Sequence, residues 1–163
     1  MINSKRHERD GTVRTAPDRT PHHAPPAPGG GFLIRLGGLW PTALAVVLVV
    51  VTFVDGVPPV QFLAGLLVVM PLCYLLFGAL RKELGRPRTL AVQVAALLAF
   101  ACLALVALAA DQTVGLRLVA AGWLAHGVWD FVHHRTGRVV PRGWSQWCGV
   151  VDVGGALTIV LLA

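Results

Sequence analysis

Five apolar stretches, each about as long as a bilayer is thick, occupy most of the sequence from Leu36 to Ala163. A helix rises 1.5 Å per residue, so crossing about 30 Å of hydrocarbon takes roughly 20 residues. The stretches cover 36–54, 60–80, 89–110, 113–133 and 144–163. They predict an all-α fold, a transmembrane helical bundle of five spans. The connections between them are short, so sequential helices are expected to be antiparallel neighbours. Trp40 and Pro41 suit the start of the first span, and Pro71 is expected to kink the second. Asp55-Gly56-Val57-Pro58-Pro59 reads as a tight turn.

Composition agrees. Only 13% of the residues are charged, and 55% are hydrophobic. A soluble domain carries about 25% charged residues. Most of this chain therefore cannot be solvated surface. The exception is residues 1–31, rich in proline and basic residues and closed by Gly29-Gly30-Gly31. Such a segment buries too little surface to offset its chain entropy, so it reads as a disordered cytoplasmic tail ahead of a membrane domain at 32–163. His7, His22 and His23 read as solvated tail residues.

The net charge is +6, but the basic residues sit beside apolar runs and are not interleaved with aromatics, which excludes a nucleic-acid surface. They cluster in the tail, in 81–88 and in 135–143, while the two opposite loops carry Asp55 and Asp111. The positive-inside rule then places the N-terminus in the cytoplasm and the C-terminus outside. Arg117 is expected to snorkel or to pair with Asp111. The arginine-, alanine- and valine-rich usage points to a bacterial inner membrane, with the lipid bilayer as the main partner. Cys73, Cys102 and Cys148 lie in apolar segments without a paired spacing, so no disulfide framework is expected.

The fourth and fifth spans differ from the rest. At about 100° per residue, His126, Asp130 and His133 share a helical face, with His134 beside it. Trp144, Cys148 and Asp152 share a face of the fifth span. An antiparallel register pairing His134 with Trp144 puts Asp130 level with Cys148 and His126 level with Asp152. His126 then lies roughly 12 Å in from the inner interface. A carboxylate at the centre of a span costs about 2.5–3.5 kcal/mol on insertion scales, so these groups are expected to pair with one another or with a ligand.

That pattern supports three chemistries. His126, Asp130, His133 and Asp152 suit a divalent metal such as zinc or iron, with His126, Asp130 and Asp152 as catalytic residues if the metal activates water. Without metal, an Asp–His pair can handle protons or a small ligand, with Arg135 and Arg138 near for phosphate. The bland alternative is a structural or interaction membrane protein whose polar residues only hydrogen-bond helices together. Gly149, Gly154 and Gly155 permit close helix contact, within one chain, in a homo-oligomer or with a membrane partner.

Two resemblances stop short. Asp130-Phe-Val-His133-His134 resembles a histidine box of membrane desaturases, but those use several boxes and this chain has three histidines outside its tail. The membrane hydrolases related to alkaline ceramidases are similar in chemistry only, because their serine and further histidines are missing. His126, Trp129, Asp130, His133, His134, Trp144, Cys148 and Asp152 together resemble an HxxWDxxHH…W…C…D pattern of small bacterial multipass proteins. That resemblance implies a shared site and no particular substrate.

Overall fold

Each apolar stretch folds as a helix, because a helix satisfies its own backbone hydrogen bonds wherever water is excluded. The computed structural model describes residues 30–163, with side chains from Gly38 onward. Residues 1–29 of the tail expected to be disordered, including His7, His22 and His23, lie outside the described residues. The helices are α1 (Gly30–Phe53), α2 (Val60–Leu80), α3 (Pro87–Ala109), α4 (Gln112–Thr136) and α5 (Arg142–Leu162). A 3₁₀ turn, Glu83–Gly85, sits in the first basic loop. Among the described residues there is no strand.

Local chemistry sets the helix ends. Pro87 opens α3, where a missing N–H costs nothing. Asp111 caps α4 by accepting from the Val114 N–H at 3.1 Å. Gly137 ends α4 at φ 64°, a left-handed conformation natural to glycine. These signals start α3 two residues before the hydropathy boundary and extend α4 from 113–133 to 112–136. Val139 also has a positive φ, 65°, which costs a β-branched residue about 1–2 kcal/mol. Its burial beside Tyr74 and Val140 holds it there.

Helices α2, α3 and α5 are long and apolar enough to cross a membrane. The apolar part of α1 with described side chains, Gly38–Phe53, is shorter. Helix α4 has 25 residues but carries Arg117, His126, Asp130, His133, His134 and Arg135. Helix length and composition therefore support three spans on their own, where the hydropathy pattern predicts five.

Packing explains why α4 is the polar one. It lies against α5 most extensively and also touches α3 and α2, while α1 covers α5. His126, His133 and Asp130 are thus enclosed by other helices. The outer surface is the apolar one, with Val51, Leu105, Val128, Phe131 and Leu161 all well exposed. In the half of the bundle nearer Asp111 the core is apolar: Leu63, Leu67, Val119, Trp123 and Ile159 are fully buried. The Trp123 indole lies against Gly155, and its N–H donates to the Leu63 carbonyl at 3.3 Å. Arg117 is exposed and is not paired with Asp111.

Candidate functional site

Three ionisable side chains with no solvent exposure meet where α4 crosses α5. His126 Nδ1 donates to Asp152 Oδ2 at 2.7 Å, and the same nitrogen is 3.6 Å from Asp130 Oδ2. His126 and Asp130 stand one helical turn apart on α4, and Asp152 comes from α5 at the same depth. Glycines let the two backbones close: a Cβ on Gly149 would stand 3.3 Å from the Asp130 Cβ, and one on Gly127 would stand 3.5 Å from the Asp152 Cβ. Short aspartate side chains can therefore reach a shared imidazole.

Helix α2 supplies a fourth member. The Tyr74 hydroxyl donates to Asp130 Oδ1. Its ring also meets two imidazoles edge-on, His126 with centroids 5.5 Å apart and His133 at 4.9 Å. Phe100 of α3 closes another side of His126 at 5.2 Å. The cluster is thus enclosed by four helices. Three of its polar atoms, His126 Nε2, Asp130 Oδ2 and Asp152 Oδ1, are buried without a hydrogen-bond partner.

The remaining sequence candidates lie around this centre. His133 is buried but directed elsewhere: its Nδ1–H donates to the Trp129 carbonyl at 2.9 Å. Its Nε2 then accepts from the Gln93 amide of α3 at 3.0 Å. Both ring nitrogens of His133 are engaged, and His133 does not join the ligand atoms that His126, Asp130 and Asp152 hold within 4.8 Å of one another. His134 staples the second basic loop, donating to the Arg142 carbonyl at 3.1 Å while Arg142 Nε donates to the His134 carbonyl at 3.3 Å. Arg135 is exposed, its guanidinium over Phe131 at 5.1 Å. Cys148 is buried one turn below Asp152 and makes no hydrogen bond.

Sequence reasoning does not single out Tyr74 and Gln93, which are isolated polar residues in apolar stretches. Depth is the signal that finds them. Both lie within two turns of the basic loop at 81–88, as Asp130 and His133 lie within two turns of the second basic loop.

No protein-family model, curated protein or solved structure matches this chain. The site's own chemistry therefore carries the functional reading.

Proposed function

We propose that this chain is a five-span protein of a bacterial inner membrane that binds one divalent cation between α4 and α5, through His126, Asp130 and Asp152. The reading rests on the orphaned carboxylate oxygens. Asp130 Oδ2 and Asp152 Oδ1 are fully buried and receive no donor. Two central carboxylates cost about 5–7 kcal/mol on insertion scales, and one imidazolium offsets only one of them. A divalent ion neutralises both and gives the free oxygens a partner. Two carboxylates and one imidazole suit zinc, iron or manganese. Tyr74 supports this set from outside it, because its hydroxyl fixes the Asp130 carboxylate, as neighbours of metal ligands commonly do. An ion held this way supplies Lewis acidity, the basis of a hydrolytic activity.

The five-span reading has its own support. Helix α4 is as long as its neighbours; His126, Asp130 and His133 are buried against them, while Arg117, His134 and Arg135 lie toward its ends. Basic loops alternate with acidic ones along the chain, which favours a cytoplasmic N-terminus.

One observation favours a second reading without metal. The 2.7 Å contact between His126 and Asp152 is a hydrogen-bond length. A proton-holding His–Asp pair would need no ion. Elemental analysis of the detergent-purified protein, supplied in turn with zinc, iron and manganese, separates the two. Cation binding predicts roughly one ion per chain, lost in His126→Ala and in Asp152→Asn while helicity is kept. A wild-type protein that stays metal-free with all three ions would refute the cation reading and leave the proton pair.

A further inference from the structure

A second polar feature lies outside the buried cluster. A groove of about 310 Å³ opens between the first turn of α3 and the last turns of α4, at the level of the basic loops. Arg88 and Arg138 line it from opposite elements, with Glu83 as the one acid. Both arginines are exposed, and among the described residues no arginine is paired with a carboxylate. The groove therefore holds two free guanidinium groups and a net charge of about +1 from these three residues.

The rest of its wall is of another kind. Val92, Trp129 and Val132 line it with apolar surface, and Val92 and Val132 are exposed toward the surroundings of the bundle. The Trp129 indole N–H is buried and has no acceptor. Gln93 and His133 close the inner end, joined to each other at 3.0 Å. At the rim, the Arg88 and Thr89 N–H groups belong to the first turn of α3 and lack helical acceptors, which favours a negative group there. Two guanidiniums and a helix start at one end, with apolar walls open to the side, match a molecule that has an anionic head and an apolar body.

We propose that this groove binds an anionic phospholipid, with its phosphodiester between Arg88 and Arg138 and an acyl chain along Val92 and Val132. The charges match, because one phosphodiester neutralises the excess of about +1. Arginine suits phosphate by offering forked, charge-assisted donors. The assignment stands independently of the cation between α4 and α5. It also places a headgroup beside His133, which the Tyr74 ring separates from the buried cluster.

Native mass spectrometry of the detergent-purified full chain tests this. The probes are phosphatidylglycerol, phosphatidylcholine and inorganic phosphate. Phosphatidylglycerol is expected to bind at least roughly tenfold more tightly than phosphatidylcholine, and the double variant Arg88→Gln/Arg138→Gln to lose at least tenfold. Each single variant is expected to lose part of that. Arg135→Gln, which removes a basic residue outside the groove, is expected to bind as wild type does. His126→Ala is expected to keep the lipid, which separates this site from the cation site. Unchanged phosphatidylglycerol binding in the helical double variant, or an equal loss in Arg135→Gln, overturns the proposal. Displacement of the lipid by an equal concentration of inorganic phosphate overturns it too and makes the groove a site for free phosphate.

Discussion

The two ends of this bundle are held together by different forces. Toward Asp111 the helices meet through apolar side chains and absent ones. Gly155 lets the Trp123 ring lie flush on α5, and Gly122 admits Leu67 and Leu103. Toward the basic loops the same helices meet through hydrogen bonds between Tyr74, Asp130, His126 and Asp152, and between Gln93 and His133. In the proposed membrane setting lipid tails are as apolar as leucine, so apolar contact between helices is favoured only by close packing. Polar pairs add directionality, because a mispaired carboxylate in hydrocarbon is costly. The apolar end is therefore expected to set how closely the helices approach, and the polar end to set which residues face each other.

Gly155→Ala should be the most damaging single change. The new Cβ would lie 2.2 Å from the Trp123 ring, which is 1% exposed and cannot swing aside. Overpacking costs of about 1–3 kcal/mol are usual, and this site should reach the upper end, about 3 kcal/mol, by thermal or denaturant unfolding in detergent. Partial rescue by Trp123→Leu would tie the loss to that contact. A neutral Gly155→Ala would break the comparison at its apolar end.

A smaller effect is expected at the polar end. A double-mutant cycle of Tyr74→Phe with Asp130→Asn should give a coupling of about 1 kcal/mol, between the average and the maximum for polar pairs in membranes. Additive losses would mean that Tyr74 and Asp130 stabilise the fold independently, and the polar end would lose its directional role.

The mildest effect belongs to a polar contact that is not fully enclosed. The Gln146 amide ties α5 to α1, donating to Thr42 Oγ1 at 2.8 Å and to the Gly38 carbonyl at 3.1 Å. Gln146 is only half-buried, so water can replace these partners. Gln146→Ala should cost about 0.5 kcal/mol in the same unfolding assay. A loss as large as that from Gly155→Ala would show that α1 docking, and not the α4–α5 crossing, limits stability.

Much of the site was legible because it is periodic. His126 and Asp130 share a face by helical spacing alone, and a single antiparallel register brings Asp152 level with His126. What spacing does not reveal is which of several clustered histidines turns inward. His133 lies on the same face as His126, yet a backbone carbonyl and Gln93 take both its nitrogens. The cluster of four expected ligands therefore reduces to three in close reach.

The sequence by itself determined the helices. Apolar runs, Asp111, Gly137 and Pro87 act within a turn or two of where they stand, so their effects need no distant partner. It also determined that α4 and α5 carry the ionisable residues, since both composition and spacing are local. Only the tertiary structure decided that Tyr74 of α2 fixes Asp130, that Phe100 of α3 closes over His126, and that Arg88 and Arg138 share one groove. Those partners are 56, 26 and 50 positions apart in the chain. They meet only because α2, α3 and α5 pack around α4, and a buried carboxylate or imidazole takes whichever donor that packing brings within reach.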